Sequence, residues 1–397
     1  MEGRDVRREA GGHGELTWAQ EALEDGSERR SSGGRVVAGT VPAVAAGPGH
    51  GVARGDQGPG KSGRGLDKEA LRAALTGLPD ENVTGGLIRM SGTDGRWTGA
   101  AGPFVPTADA HFRIGSVTKI FTSTVLLQLA AEGRLTLDDT VQELMPGLLP
   151  AGYFPVTVGQ LLSHTSGLQI MTCATEDMSP REAVDASLAC GEPTEPGKAT
   201  RYNGINYFIA GLIIEQVTGR TYGSEVRTRI LTPLRLRDTY VPALDDWSIP
   251  APYTRGLVAV PGSSGELTDV SVQNPYGWAE GGMISNAPDL ARFFTALYRG
   301  RLLPPAQQKD LFRMPAAASG DTQFSYGGLQ RTEFPDGTVV WGKSGHVPGY
   351  TSGAFATRDL RRLLVYALNP TDRSPELPYV LRIAGAAFDV PVPATAG

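Results

Sequence analysis

Ser116 and Lys119 stand three residues apart in the stretch Ser116-Val117-Thr118-Lys119. On a helix, residues at this spacing share a face, so the Lys119 amine can sit beside the Ser116 hydroxyl. Serine alone is a poor nucleophile at neutral pH. An adjacent amine can take its proton when burial or nearby positive charge favours the neutral form. A helix N-terminus at Ser116 would add positive potential and a free backbone N–H for an oxyanion. Such a pair would suit a serine acting as a nucleophile on a carbonyl. Other common arrangements are missing. The sequence has no Gly-x-Ser-x-Gly elbow, no HExxH pair among its five His and no Gly-x-x-x-x-Gly-Lys-[Ser/Thr] phosphate loop. No metal or other cofactor is implied.

The surrounding elements must hold this pair. Phe112-Arg113-Ile114 reads as a strand leading to Gly115, and Ser116 to Glu132 as a buried helix closed by Gly133. Strands are predicted at Val83–Met90, Trp97–Gly102, Phe324–Arg331, Thr338–Gly342, Tyr350–Thr357 and Arg362–Leu368. Helical spacing follows Asp67, fills the middle of the chain, starts again at Asn286-Ala-Pro-Asp289 and closes the domain over Glu376–Phe388. Strands therefore open and close the domain. The expected fold class is α/β (α+β): an antiparallel sheet built from both chain ends, flanked by helices, with a mainly helical subdomain inserted at about 135–285. The domain is expected over 66–390, with a tail at 391–397.

Composition narrows the function. The chain has 397 residues, 40% of them hydrophobic, and a net charge of −5, so no basic surplus points to nucleic acid. No apolar run approaches a membrane span. Residues 1–65 are rich in Gly and lack apolar periodicity, and read as a disordered tail or a mis-assigned start. They show no continuous apolar stretch of a secretory signal, which suggests a cytoplasmic protein. Cys173 and Cys190 are then expected to be free thiols.

At this point the sequence resembles the serine β-lactamase and penicillin-binding-protein superfamily, especially class C β-lactamases and Streptomyces D-alanyl-D-alanine carboxypeptidases. The resemblance starts in His111–Phe121 (HFRIGSVTKIF). It continues in Leu161–Leu168 (LLSHTSGL), Tyr207–Gly219 and Trp341–Tyr350 (WGKSGHVPGY), and covers about residues 66–390. It implies a proton-handling role for Tyr202, which matches the Tyr of the family's Tyr-x-Asn motif. Gly204 stands where the motif has Asn, and Asn203 or Asn206 are the neighbouring amides that could compensate. Lys343-Ser344-Gly345 matches the third motif, with Lys343 and Ser344 expected to hold a negative group of the substrate. The resemblance places the oxyanion between the backbone N–H groups of Ser116 and His346. It makes His164 structural and sets Trp278, with the following Ala-Glu-Gly-Gly-Met, along the substrate cleft.

The reading is a serine acyl-enzyme hydrolase or acyltransferase, D-alanyl-D-alanine carboxypeptidase-like or β-lactamase-related, acting on a small-molecule or peptide acyl donor. A second small molecule would be the acceptor in a transacylase. Gly204 and the cytoplasmic expectation favour, as the alternative, a cytosolic transacylase or esterase of a natural-product pathway. A non-catalytic binding protein on the same fold is the third reading.

Overall fold

The computed structural model describes residues 65–171, 173–259, 266–316 and 323–391. The expected tails at 1–65 and 391–397 lie almost wholly outside these residues. Among the described residues the strands are β1 (Val83–Ser91), β2 (Trp97–Ala101), β3 (Phe112–Arg113), β4 (Leu257–Ala259), β5 (Leu267–Asp269), β6 (Ile284–Ser285), β7 (Gln330–Glu333), β8 (Val339–Val347), β9 (Tyr350–Ala356) and β10 (Leu363–Pro370). Six of them form one sheet in the order β2-β1-β10-β9-β8-β7, every neighbouring pair antiparallel. Strands from the two ends of the domain meet at β1 and β10, as the sequence pattern suggests.

Both faces of this sheet are covered, and β10 shows why its sequence is apolar throughout. Side chains alternate across a strand. Leu364, Tyr366 and Leu368 pack with Leu71, Val380 and Ile383 of helices Lys68–Ala73 and Leu377–Phe388. Leu363, Val365 and Ala367 face the other way, into a cluster with Phe121, Leu290 and Phe293. The helix Ala287–Tyr298 supplies the last two. Asn286 caps it, accepting from Asp289 N–H at 2.9 Å, with Pro288 in the first turn.

Short helices fill the middle of the chain at Val141–Leu144, Val158–Leu162, Pro180–Leu188, Ile205–Thr218 and Tyr222–Val226. Thr157 and Ser179 each open one with a capping box, paired with Gln160 and Glu182. The helix Thr118–Ala131 is buried on nearly all sides, so its sequence shows no polar face.

Three expectations change. Ser116 lies in a 3₁₀ turn, Gly115–Val117, ahead of the α-helix and not inside it. The last sheet-edge strand starts at Gln330, and Phe324 only touches it through an isolated bridge. Cys173 and Cys190 are not free thiols but a disulfide, with Cα atoms 6.2 Å apart. The free-thiol expectation rested on the compartment inferred from residues 1–65, and the fold brings the two sulfurs together regardless. No described helix is long and apolar enough to cross a membrane.

Candidate active site

The turn carrying Ser116 is fixed from several sides. Ile114 N–H donates to Met283 O at 3.1 Å, and Ser352 Oγ of β9 donates to Ile114 O at 3.0 Å. The buried Arg113 guanidinium ties β3 to Trp247 O at 2.8 Å and Ser271 O at 3.0 Å. The short edge strand β7 pairs with β8 only from Val339 to Gly342. From Lys343 onward, that side of β8 lies against the Ser116 turn instead of a strand. Two glycines permit the approach. A β-carbon on Gly345 would meet Ile114 O at 2.1 Å, and one on Gly115, which has φ +46, would meet His346 N at 2.7 Å.

The predicted trio is assembled. Lys119 Nζ donates to Ser116 Oγ at 2.8 Å, and Tyr202 Oη donates to the same oxygen at 2.6 Å. Lys119 is fully buried, and Lys343 is nearly so. Their ammonium groups stand 4.8 and 4.6 Å from the centre of the Tyr202 ring, which places positive charge beside the phenol. Lys343 Nζ also donates to Ser344 O at 2.9 Å. Strand alternation puts Lys343 on the face toward Tyr202 and His346 on the opposite face. There the half-exposed His346 ring meets Thr351 Oγ1 at 3.0 Å and Glu376 Oε1 at 3.4 Å. Burial pushes the Glu376 carboxyl up, but His346, by hydrogen bond and charge, and Thr351 more than offset it and hold it low.

His164 lies beneath Tyr202, ring centroids 4.5 Å apart. Burial, then the charges of Lys119 and Lys343, push its pKa well below the usual value, so the ring stays neutral. Its Nδ1 accepts from Asn203 N–H at 3.2 Å and from Asn206 Nδ2 at 3.1 Å. The structural role expected for it fits this geometry.

Two site expectations need correction. Asn206 is fully buried, and its amide oxygen accepts from Ser166 Oγ at 2.6 Å while its nitrogen serves His164. Asn203 donates to Leu168 O and Gln169 O at 3.1 and 2.6 Å. Both amides hold loops in place and neither substitutes for the missing motif Asn. Trp278, expected along the cleft, is buried instead, with its ring packed against Tyr222 and Phe208.

The sequence reading includes Glu280 only within the run after Trp278 and gives it no role of its own. It sits in the Gly-rich segment after Trp278, far from Ser116 in sequence, and its carboxylate forms an ion pair with Lys119. Its backbone carbonyl accepts from Lys119 Nζ at 3.0 Å as well. Among the described residues no group of three or more His, Cys, Asp or Glu is placed to hold a metal ion. The chemistry available is proton transfer and nucleophilic attack by Ser116.

The sequence profile of the family described as Beta-lactamase matches residues 71–386. The chain belongs to that family. This β-lactamase-family chain is 36% identical over 165 residues to penicillin-binding protein 4 of Amycolatopsis lactamdurans, a match covering 40% of this chain and 42% of the relative. The chain thus spans less than half the length of that curated relative. Among solved structures, a D-stereospecific amidohydrolase from Streptomyces sp. superposes with a TM-score of 0.72 at 33% identity. That match covers 81% of this chain and 98% of the other. A D-amino acid amidase from Ochrobactrum anthropi SV3, complexed with D-phenylalanine, gives 0.70 at 25% identity, covering 80% and 98%.

Proposed function

We propose that this chain is a serine acyl-enzyme hydrolase acting on amides or esters of amino acids. One observation carries the reading: the Tyr202–Ser116–Lys119 hydrogen-bonded cluster beside the edge of β8 that has no strand neighbour. Ser116 Oγ attacks the carbonyl carbon, and its proton passes into the Lys119/Tyr202 pair. The new oxyanion is received by the backbone N–H groups of Ser116 and His346. The bond to the leaving nitrogen or oxygen breaks as that group takes the proton. Water then attacks the acyl carbon and restores Ser116. Lys343 and Ser344 are the groups proposed to hold a negative substituent of the donor.

The acyl-donor class is supported by the amidohydrolase and amidase resemblance and by the absence of a side chain at Gly204, which removes one amide contact expected for β-lactams. The test is intact-mass spectrometry after incubation with D- and L-phenylalanine amide, an ester and a penicillin. An adduct on Ser116 that is lost in Ser116→Ala supports the reading, and no adduct with any donor sinks it. An added amine in the same assay separates hydrolysis from transacylation, since only the latter gives a new amide.

For location, the Cys173–Cys190 disulfide supports an oxidising compartment in place of the cytoplasmic one. Alkylation of acid-quenched cells, followed by mass mapping of the two cysteines, checks this.

A further inference from the structure

Glu280 enters the site from the short helix Trp278–Gly281, beside the space that a side chain at position 204 would fill. A β-carbon on Gly204 would lie 3.6 Å from the Glu280 carboxyl carbon and 3.3 Å from Met171 Sδ. Lys119 Nζ donates to Ser116 Oγ at 2.8 Å and to Glu280 O at 3.0 Å, and it pairs with the Glu280 carboxylate. An ammonium, with three N–H donors, can serve all of these acceptors at once, whereas a neutral amine has two. The two side chains are 0% and 13% exposed, so solvent screens the pair little.

We propose that Glu280 is a positioning residue that replaces, from a different segment of the chain, the side chain missing at Gly204, and fixes Lys119 as an ammonium against Ser116. The proposal rests on Ser116 being the nucleophile. Lys119 then has no lone pair to offer. The Ser116 proton goes to Tyr202 Oη, which must enter the step as a phenolate beside the Lys119 and Lys343 charges. As the bond to the leaving group breaks, Tyr202 gives that proton to the leaving atom and returns to the phenolate.

The experiment compares wild type, Glu280→Gln, Glu280→Ala, Gly204→Asn and the Glu280→Ala/Gly204→Asn double variant. It reads kcat/KM against pH on the best donor found by mass spectrometry, with a melting temperature for each protein. Glu280→Gln keeps the shape and removes the charge, so Lys119 should lose its proton more easily and the alkaline limb should move to lower pH. Glu280→Ala should lower kcat by about 10²-fold, the scale of a displaced catalytic group. The double variant should recover much of that loss, because the Asn amide oxygen enters the vacated space and accepts from Lys119. Gly204→Asn alone should lower activity by crowding Glu280. A wild-type pH profile in Glu280→Gln, or a double variant no better than Glu280→Ala, overturns the proposal. Failure of the wild type to form any Ser116 adduct is a separate result, and it overturns the nucleophile assignment.

Discussion

Gly345 lies so close to Ser116 that a β-carbon on it would stand 2.7 Å from the Ser116 amide nitrogen. The edge of β8 and the nucleophile turn are therefore in backbone contact. The two N–H groups proposed to receive an oxyanion come from segments that touch, and this contact, with that of Gly115 against His346, helps set their separation.

Gly345→Ala should drive β8 away from the turn, because the atoms in its path are backbone and cannot swing aside. Acylation by the preferred donor should fall at least about 10²-fold, the cost typical of losing an oxyanion donor. Stopped-flow or time-resolved mass measurement of adduct formation checks this. Wild-type acylation in a folded Gly345→Ala protein would show that the contact does not set the oxyanion geometry.

Tyr202→Phe removes the hydroxyl 2.6 Å from Ser116 Oγ and leaves the ring packed over His164. A loss of 10²–10⁴-fold in kcat is expected, the usual range for a general acid or base. Steady-state kinetics decides it, and full activity in this variant would assign the proton to another group.

His164 supplies a prediction about stability. In the unfolded chain its imidazole binds a proton below about pH 6.5. In the folded protein burial, and then the charges of Lys119 and Lys343, keep it neutral. The unfolded state therefore binds more protons as pH falls below that value, and stability is lost in that direction, by at most about 1.4 kcal/mol per pH unit. Denaturant titrations at pH 7.5, 6.5 and 5.5 should show a steeper decline for wild type than for His164→Gln. Equal slopes would mean that His164 takes up its proton in the folded state too.

The Cys173–Cys190 disulfide, its cysteines 17 residues apart in sequence, closes a loop that contains helix Pro180–Leu188. The Cys173→Ser/Cys190→Ser double variant should be less stable by roughly 2–4 kcal/mol, read by denaturant unfolding without reductant. Equal midpoints would show that the loop is already ordered by its other contacts, such as Gln169 Nε2 donating to Ser187 O at 3.0 Å.

The sequence reading succeeds where chemistry is encoded locally. Ser116 and Lys119 are three residues apart, and the Gly115 that lets β8 approach stands beside them. The apolar run of β10 and the Asn286 cap are likewise visible, because neighbouring residues determine both. Glu280 was not legible: a lone acid in a Gly-rich run carries no spacing signal, and its partner is set by the fold. Asn206 and Trp278 failed for the related reason that a polar or aromatic residue near a motif can serve the scaffold, and only burial and partners decide. The disulfide is not legible because two cysteines 17 residues apart carry no pairing signal of their own, and only the fold brings their sulfurs together.

The pairing of β1 with β10 has a consequence for synthesis. Val83 lies opposite Pro370 and Ser91 opposite Leu363, so this strand pair joins the first and the last strand of the described residues. Contacts this distant in sequence form late, after the cost of closing the intervening chain has been met. Ser116 and Lys119 leave the ribosome before β8 and its neighbour β9, against which their turn rests. A nascent chain therefore carries the nucleophile without the edge that completes the site until those two strands emerge. Acylating power should arise only after β9 has been made.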